Sequence, residues 1–574
     1  MKEILSGNEA IARGAYEAGV RVAVAYPGTP STEVLESMEQ YPSIYAQWSP
    51  NEKVALEVGI GASFAGARVL VAMKHVGLNV AADPWFTLAY TGVNGGLILV
   101  SADDPGMHSS QNEQDNRYFA RMAHVPLLEP SDSQEAKDFV AIGLEIGETY
   151  DTPVMLRTTT RISHSKGLVN LGEREEVPLK PYERDAQKYV MIPAYGRLRH
   201  QAVEERLARL QALAEETPLN RLEWGERKIG IITSGVVYQY VKEVFPEASI
   251  LKLGLSYPLP EGKIKELAAG VDKLYVVEEL EPFLEEQIKA LGIPVEGKKL
   301  TGRRGELSPA RLREVFGLTT PDQGTNPAPS RPPVLCPGCP HRGVFYVLNR
   351  LKLTVSGDIG CYTLGSLPPL SAMDACVCMG ASIGMAHGME KANPQFAGKT
   401  VAVIGDSTFL HSGITPLMDV AYNGGNTTVL ILDNSTTAMT GHQDHPASGK
   451  TLKGQPAPKV DLEGLVRSLQ IRRVTKVDAY DLAAVERAVK EEMAQEEPSV
   501  IIVERACALI VDREQPYRID PEQCTNCRLC LRIGCPAISG HGTMDLDASL
   551  CNGCGVCAQI CPRGAIVKVG EGDV

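Results

Sequence analysis

The sequence predicts an α/β protein in which several doubly wound domains precede a small cysteine-rich domain. Short apolar runs alternate with helical patterns over most of the 574 residues, as expected of parallel sheets covered by helices on both faces. A proline-rich stretch, TTPDQGTNPAPSRPP, interrupts this pattern, and eight of the fourteen cysteines lie between Cys524 and Cys561. A chain of this length should divide into roughly three to five domains.

Composition and charge narrow the classes of function. The net charge is −13 and the sequence has no basic stripe, which argues against nucleic acid as a partner. The chain starts without the apolar core of a signal peptide and has no run of about 18 apolar residues. We therefore expect a cytoplasmic protein that does not enter a membrane. In a reducing compartment, clustered cysteines indicate metal sites rather than disulfides.

Residues 1–165 form the first predicted domain. Its apolar runs have the length and composition of buried parallel strands, and they are Arg21–Tyr26, Val69–Met73, Gly96–Ser101 and Val154–Leu156. In open α/β sheets, ligands bind at the carboxyl ends of the strands. The loops that follow two of these strands, YPGTPS from Tyr26 and DDPGMH from Asp103, are therefore candidate functional loops.

Residues 166–318 are predicted to be a polar connector followed by a smaller α/β unit. The connector ends in a charged helix, and we assign it no chemistry. Three apolar runs are the expected strands of the smaller unit: Ile229–Thr233, Ile250–Leu253 and Leu274–Val277. A proline-rich linker covers residues 319–333 and marks the clearest domain boundary in the chain.

The next α/β domain, residues 334–512, contains two apolar runs that each end in small polar residues. Val401–Ile404 is followed by Gly-Asp-Ser, and Thr428–Leu432 is followed by Asp-Asn-Ser. Adjacent strand ends would bring Asp406 and Asn434 together as hard oxygen ligands of one small cation. The glycine would let the backbone approach a phosphate that the cation neutralises. Two ordinary turns, rich in Gly, Asp and Asn, are the alternative.

The last predicted domain, residues 513–574, carries an internal repeat of cysteines. Each half has three cysteines separated by two residues and then a Cys-Pro. This pattern is close to that of bacterial two-cluster ferredoxins, in which the fourth cysteine of each run ligates the other cluster. Two [4Fe–4S] clusters are therefore predicted, with a pair of zinc ribbons as the alternative. The ligands would be Cys524, Cys527, Cys530 and Cys561 for one cluster and Cys535, Cys551, Cys554 and Cys557 for the other.

The Gly-Asp-Ser segment, with an asparagine after the next strand, resembles the motif of thiamine diphosphate enzymes. On that resemblance, Asp406, Asn434 and the main-chain carbonyl of Thr436 hold Mg²⁺. Gly405 and Ser407 would lie beside the diphosphate of the cofactor.

A helix in the first domain, NEKVALEVGIGAS, resembles the segment of thiamine diphosphate enzymes whose glutamate contacts the aminopyrimidine ring. By its position in the motif, that glutamate is Glu52. A carboxyl is needed there to promote the tautomer that deprotonates the thiazolium carbon. Glu57 is the weaker candidate, and an ordinary solvent-exposed helix glutamate is the alternative.

Nearly the whole chain resembles the 2-oxoacid:ferredoxin oxidoreductase superfamily, and within it the alpha subunits of the indolepyruvate branch. The resemblance rests on the order of the motifs, with YPGTP first, CPGCPH in the middle and the cysteine repeat last. It implies oxidative decarboxylation of aryl pyruvates, indolepyruvate foremost, to the acyl-CoA and CO₂, with electrons passed through the clusters to ferredoxin. It also implies CoA as co-substrate, a beta subunit and a dimer of heterodimers.

Three alternatives to this function stay open. The first is the same chemistry on pyruvate, 2-oxoglutarate or a branched-chain 2-oxo acid, because the sequence does not size the pocket. The second is a thiamine-dependent decarboxylase without electron transfer, although it leaves the cysteine repeat unexplained. The third is a non-catalytic iron–sulfur subunit that only transfers electrons.

Two further sites follow from the resemblance. Some superfamily members hold a third, proximal cluster, and four cysteines of this chain match its ligands. The alternative is that these four cysteines are buried free thiols. These cysteines are Cys336, Cys339, Cys361 and Cys507, whereas Cys376 and Cys378 have no assigned role.

Relatives that act on small 2-oxo acids hold the substrate with a threonine and an arginine. Thr29, in the YPGTP loop, matches the threonine, but the arginine has no match. His75 and Lys74, at a predicted strand end, are candidate substitutes for it. A solvated strand-end charge is the alternative for either residue.

Overall fold

A computed structural model describes residues 1–319, 332–540 and 542–570 of the chain. The chain divides into two compact units, Met1–Asn326 and Pro327–Val574. The predicted linker, residues 319–333, spans this division. All of it except its first residue and its last two lies outside the described residues.

The first unit alternates strands and helices. Its strands are β1 (Lys2–Ser6), β2 (Val22–Ala25), β3 (Tyr45–Trp48), β4 (Val69–Lys74), β5 (Leu97–Asp103), β6 (Leu127–Leu128), β7 (Val154–Thr159), β8 (Lys166–Asn170), β9 (Asn220–Glu223), β10 (Glu226–Ser234), β11 (Ala248–Leu253), β12 (Leu255–Tyr257) and β13 (Lys273–Val276). Its helices are α1 (Gly7–Glu17), α2 (Thr32–Glu36), α3 (Glu52–Phe64), α4 (His75–Val80), α5 (Ala82–Thr91), α6 (Arg117–Ala123), α7 (Ser133–Tyr150), α8 (Thr160–His164), α9 (Ala186–Tyr189), α10 (Pro193–Glu216), α11 (Val237–Val244), α12 (Glu261–Ala269), α13 (Phe283–Ala290), α14 (Lys298–Thr301) and α15 (Pro309–Val315).

A seven-stranded sheet forms the centre of the first unit, in the order β12-β6-β7-β5-β4-β2-β3. Its neighbouring strands are parallel, except that the edge strand β12 runs antiparallel to β6. Strands β4, β5 and β7 are buried along their whole length, which is why they appear as continuous apolar runs in the sequence. Lys74 ends β4 and Asp103 ends β5, so the residues after them share one edge of the sheet.

A four-stranded sheet in the order β13-β10-β11-β9 completes the first unit. The same part of the chain contributes β12 to the seven-stranded sheet, and apolar residues from both sheets share one core. A buried ion-pair network also joins them, since Arg117 lies 2.6 Å from Asp115 and 2.7 Å from Glu278. The segments 1–165 and 166–318 are thus connected by sheet, core and charge.

The second unit is built on one parallel sheet and two small antiparallel pairs. Its strands are β14 (Thr354–Ser356), β15 (Thr400–Gly405), β16 (Thr428–Asp433), β17 (Arg473–Asp478), β18 (Ser499–Glu504), β19 (Tyr517–Ile519), β20 (Ile538–Ser539), β21 (Asp545–Leu546) and β22 (Ile566–Lys568). Its helices are α16 (His341–Leu351), α17 (Ala381–Ala392), α18 (Asp406–Thr408), α19 (Ile414–Tyr422), α20 (Leu462–Ser468), α21 (Leu482–Met493) and α22 (Val556–Gln559).

The parallel sheet has the order β14-β15-β16-β18-β17. Strands β15 and β16 are adjacent, with Gly405 opposite Leu432, and β18 lies on the other side of β16. The cysteine-rich segment pairs β19 with β22 and β20 with β21, in both cases antiparallel. Its buried cysteines and aliphatic side chains pack into the same core as helix α16 and strand β15.

The predicted α/β fold is confirmed, and the buried strands begin and end close to the predicted residues. Strand β3 and strand β17 were not predicted, because their residues are only partly buried and do not form an apolar run. In the three described ranges, we find no helix with the length and apolar character needed to cross a membrane.

Candidate cofactor and cluster sites

The first candidate site lies at the carboxyl ends of β15 and β16. Asp406 directly follows β15 and Asn434 directly follows β16, and both side chains are buried. One terminal atom of the Asn434 amide lies 3.1 Å from Asp406 Oδ1 and 3.0 Å from the carbonyl oxygen of Thr436. The structure thus brings the three predicted Mg²⁺ ligands together.

The spacing of these three groups matches that of neighbouring ligands around an octahedral cation. With Mg–O distances of about 2.0–2.1 Å, neighbouring ligands of an octahedron lie about 3 Å apart. With its nitrogen at this position the Asn434 amide donates to both oxygens, and with its oxygen there it would join them as a third ligand. The donor set of carboxylate, amide and carbonyl is the one that Mg²⁺ prefers.

Asp406 is held in place from several sides. Its Oδ1 accepts a hydrogen bond from Ser407 N at 2.8 Å, and its Oδ2 accepts one from Ser435 N at 2.9 Å. His445 Nε2 lies 3.2 Å from Oδ2. Burial, together with the nearby charge of Asp406, raises the pKa of Asp433 to about 6. This concentration of carboxyl groups makes the strand ends an electrostatically favourable place for a cation.

Gly405 and Ser407 flank Asp406 in tight surroundings. A Cβ atom on Gly405 would lie 2.8 Å from Tyr362 Cε1, so a larger residue would displace the tyrosine ring. Tyr362 is buried, and its hydroxyl donates to the carbonyl of Ile359 at 3.0 Å. The Ser407 hydroxyl lies 2.8 Å from the Thr437 hydroxyl, which ties the two strand-end loops together.

In the first unit, Glu52 occupies an enclosed position. Asn51 caps helix α3 by accepting a hydrogen bond from Val54 N at 2.9 Å, and this cap fixes Glu52 at the first helical residue. Glu52 is 5% exposed, and a Cβ on Gly77 would lie 2.6 Å from its Oε1. Glu57 is instead exposed and forms an ion pair with Lys53. Of the two candidate glutamates, only Glu52 is enclosed.

The predicted substrate residues converge on one loop, residues 104–112. Lys74 Nζ donates to the carbonyl of Ser109 at 2.5 Å, and the Ser109 hydroxyl donates to the carbonyl of Thr29 at 3.2 Å. His75 is fully buried, with Nε2 3.3 Å from Asn112 Oδ1. The loop therefore contacts Lys74, His75 and the YPGTP segment.

All fourteen cysteines are free thiols, and four of them gather beside the strand-end site of the second unit. Burial raises the pKa of Cys339 to about 12, and the nearby Cys361 and Cys336 contribute to the rise. Burial raises the pKa of Cys361 to about 11, with contributions from Cys507 and Cys336. Cys507 N also donates to the carbonyl of Asn434 at 3.0 Å. The four thiols predicted to hold a third cluster are thus close enough to affect the pKa values of Cys339 and Cys361.

The cysteines of the repeat are close enough to raise the pKa values of Cys530 and Cys557, in two groups with the same members as the predicted sets. The first set is seen at Cys530, whose pKa is raised by burial and by its neighbours Cys527, Cys524 and Cys561. The second set is seen at Cys557, where burial raises the pKa to about 12, with contributions from Cys554, Cys535 and Cys551. Thiols with raised pKa values release protons when they bind iron.

The backbone also donates to these sulfurs. Cys551 Sγ accepts from Tyr517 N and Gly553 N, both at 3.4 Å, and Cys561 Sγ accepts from Ala565 N at 3.3 Å. Hydrogen bonds of this kind tune the reduction potential of iron–sulfur clusters.

Over the described ranges, no three His, Cys, Asp or Glu side chains converge on a position where they could hold one metal ion. Both kinds of predicted site differ from such a group. Each thiolate of a [4Fe–4S] cluster binds its own iron atom, and the Mg²⁺ set contains one carboxylate beside an amide and a carbonyl.

Two supporting residues were missed by sequence reasoning. Asp358 is fully buried and accepts hydrogen bonds from Gly380 N at 2.9 Å and Ser382 N at 3.0 Å, which fixes the start of α17. Arg342 donates to the carbonyls of Ile533 at 3.0 Å and Cys336 at 3.1 Å, and so joins two cysteine-bearing loops. Apart from Cys336, their partners lie more than twenty residues away in sequence, and only the position of Arg342 beside CPGCPH gave a signal.

Three protein-family models match the chain. Residues 13–215 match the thiamine diphosphate-binding region of pyruvate flavodoxin/ferredoxin oxidoreductases, and residues 358–503 match the C-terminal TPP-binding domain of thiamine pyrophosphate enzymes. Residues 544–567 match a 4Fe-4S binding domain. The predictions of thiamine diphosphate and iron–sulfur clusters as cofactors are confirmed.

Curated relatives match the chain along its whole length. Indolepyruvate oxidoreductase subunit IorA of Pyrococcus horikoshii is 41% identical over 100% of this chain and 98% of its own, and the same subunit of Methanothermobacter thermautotrophicus shows the same identity and coverage. The 2-oxoglutarate synthase subunit KorA of Methanothermobacter thermautotrophicus is 24% identical over 48% of this chain and 86% of its own. By full-length identity, the chain belongs to the family of indolepyruvate oxidoreductase IorA subunits.

Proposed function

We propose that this chain is the thiamine- and cluster-bearing subunit of an enzyme that oxidatively decarboxylates aryl pyruvates, indolepyruvate foremost. The 2-oxo acid and CoA would give the acyl-CoA, CO₂, one proton and two electrons, and ferredoxin would accept the electrons. The observation that carries the proposal is the hydrogen bond from Cys507 N to the carbonyl of Asn434. It joins the proposed third-cluster ligands to the proposed cation site by one backbone contact.

Each of the two α/β regions carries residues with a proposed role toward the cofactor. Bound thiamine diphosphate supplies the nucleophilic carbon that lets a 2-oxo acid lose CO₂ and release two electrons. Asp406, Asn434 and the carbonyl of Thr436 would hold its Mg²⁺, with Gly405 and Ser407 at the diphosphate.

Glu52 would hold and exchange a proton with the aminopyrimidine ring. Its enclosure beside Gly77 supports this role, because a carboxyl shielded from water makes a stronger hydrogen bond.

Iron–sulfur clusters would move the electrons one at a time. Two would be held by the cysteine repeat in the sets given above, and a third by Cys336, Cys339, Cys361 and Cys507. Contacts between the loops support an order in which the third cluster and the second repeat set are neighbours. A Cβ on Gly338 would lie 2.7 Å from Asn552 Cβ, and Asn552 Nδ2 donates to the carbonyl of Ala508 at 3.3 Å.

The proposal also covers the partner proteins, the assembly, the cellular compartment and the domain boundaries. The subunit name of the relatives supports a second, beta subunit, and we propose ferredoxin as the acceptor and a dimer of heterodimers as the assembly. Fourteen free cysteines suit a reducing compartment such as the cytoplasm. The domain boundaries at residues 165, 318, 333 and 512 are proposed as well.

We assign aryl pyruvates rather than 2-oxoglutarate as the substrates because of the names of the chain's relatives. The relatives that cover the full chain are named for indolepyruvate, whereas the 2-oxoglutarate synthase subunit matches less than half of it at lower identity.

The test is electron-acceptor reduction by the anaerobically purified complex with its beta subunit. Indolepyruvate, phenylpyruvate, pyruvate and 2-oxoglutarate would be compared at equal concentration, with and without CoA. We expect the two aryl substrates to give the highest kcat/KM and the reduction to require CoA. A higher kcat/KM with pyruvate or 2-oxoglutarate would overturn the substrate assignment.

A further inference from the structure

Lys74 is a buried cation without a carboxylate partner. It ends strand β4 and is 9% exposed. Its ammonium donates to the carbonyl of Ser109 at 2.5 Å. In the described part of the chain, no carboxylate forms an ion pair with it. An ammonium has three N–H donors, so two of them are available to something else.

Asp104, an acid on the same loop as Ser109, already accepts several hydrogen bonds. Asp104 Oδ2 accepts from Ser109 N at 2.8 Å and from the Ser110 hydroxyl at 2.6 Å, and Oδ1 accepts from the Thr160 hydroxyl at 2.6 Å. Asp104 therefore organises its own loop and acts on Lys74 through its charge, without a direct ion pair. Burial lowers the pKa of Lys74 to about 8, and the charges of Asp104 and Glu52 offset only part of this effect. A buried ammonium that has no ion-pair partner is stabilised by an anion that reaches it.

Lys74 also lies near Thr29 and Glu52, two residues with proposed roles toward the substrate and the cofactor. A Cβ on Gly28 would lie 3.0 Å from Lys74 Cβ, so the loop that carries Thr29 passes directly over the lysine. Glu52 is close enough to affect the pKa of Lys74, and Gly77, three residues later, contacts the Glu52 carboxyl. Lys74 thus lies between the YPGTP loop and the carboxyl proposed to activate the cofactor.

We propose that Lys74 binds the carboxylate of the 2-oxo acid substrate and so selects for acids at this site. The inference rests on the proposed function, because it assigns a residue to the substrate of that reaction. His75 has a different task. Its ring is fully buried against Asn112, where it orients the loop, and it starts helix α4.

The test uses the assembled holoenzyme and two ligands that differ in the carboxylate. Indole-3-lactate resembles the substrate but does not react, and indole-3-ethanol lacks the carboxylate. Dissociation constants would be measured anaerobically by calorimetry for the wild type, Lys74→Met and Lys74→Arg. Lys166→Met, at an exposed lysine of β8, is the matched control.

We expect the wild type and Lys166→Met to bind the acid at least about 30-fold more tightly than the alcohol, as for a buried charge pair. Lys74→Met should lose this preference, and Lys74→Arg should keep part of it. Thiamine content and melting temperature would show that each variant is folded. A Lys74→Met protein that keeps the preference, or a wild type that has none, would overturn the proposal.

The pH dependence gives a second, independent outcome. The charged ammonium binds the carboxylate, so kcat/KM for an aryl pyruvate should fall as pH rises through about 8. The charged groups that face Lys74 are Asp104 and Glu52, with His75 as its neighbour in the chain, and Lys74→Arg should remove the fall because a guanidinium stays charged. A wild type that turns over no aryl pyruvate would instead defeat the proposed function. If the wild type turns over aryl pyruvates and kcat/KM of Lys74→Arg falls with pH as it does in the wild type, only the role of Lys74 is defeated.

Discussion

The two strand-end sites of this chain are built in different ways. In the second unit, Asp406 and Asn434 follow adjacent strands directly, and their positions are fixed by the sheet register and by backbone hydrogen bonds. In the first unit, Glu52 starts a helix and Lys74 ends a strand, and side-chain packing against glycines brings them together. The first kind of site should tolerate changes around it and fail only when a ligand is lost. The second kind should be sensitive to a single added methyl group.

The largest expected effect is that of Asp406→Ala. Removing the only carboxylate of the proposed Mg²⁺ set should abolish thiamine diphosphate binding and reduce turnover at least about a thousandfold, because the diphosphate loses its cation. Cofactor content after anaerobic purification and acceptor reduction would be measured. Asp419→Ala, at an exposed aspartate of α19, is the control. If Asp406→Ala keeps both thiamine and turnover, the chain is an electron-transfer subunit and not the catalytic one.

Glu52→Gln tests the site of the first unit without removing the cofactor. Loss of the ring carboxyl should lower kcat by about 10²–10⁴-fold, in the range of a general acid–base contribution. Thiamine diphosphate content should stay near that of the wild type. Glu57→Gln, on the exposed face of the same helix, should have little effect. Equal losses in both variants would show that the helix matters for stability rather than for proton transfer.

The two sites also differ in how well the sequence predicts them, because one is built from adjacent strand ends and the other from packing between distant segments. Asp406, Asn434 and the repeat cysteines stand in short motifs, so the sequence could place the first two at strand ends and could predict the cysteine sets from their ferredoxin-like pattern. Lys74 could be named only as one of two candidates, since its surroundings are built by Gly28, Ser109 and Asp104, which come from other parts of the chain. Edge strands such as β3 were missed because partly buried strands lack an apolar run. Packing between distant segments decides these features, and local patterns do not report it.

Cys507→Ser tests whether Cys507 and its three neighbours hold a third cluster. If the third cluster exists, iron should fall from about twelve to about eight atoms per chain, at four for each cluster. Iron analysis and low-temperature electron paramagnetic resonance of the reduced protein would be measured. Cys376→Ser, at an exposed thiol with no proposed role, is the matched control. About eight irons in the wild type would leave Cys507 and its three neighbours as buried thiols.

The smallest change, Gly77→Ala, separates the two kinds of site most sharply. Gly77 lies inside helix α4, where alanine is the better helix former by up to about 1 kcal/mol, so the backbone itself does not oppose the change. The new Cβ would lie 2.6 Å from Glu52 Oε1 and would have to push the carboxyl aside. Misplacement of a reacting group by about 1 Å can cost up to about a hundredfold, so kcat should fall by about ten- to a hundredfold.

Gly61→Ala is the matched control for this variant. Gly61 lies in helix α3, as Glu52 does, and a Cβ there meets no atom within 4 Å. We expect Gly61→Ala to keep wild-type kcat and to melt at the same temperature or slightly higher, because alanine loses less backbone entropy than glycine on folding. The thiamine content of both variants should match the wild type, since the proposed Mg²⁺ ligands are untouched. Unchanged kcat in Gly77→Ala would mean that Glu52 can move without consequence, and an enclosed carboxyl would then not be the feature that the reaction needs.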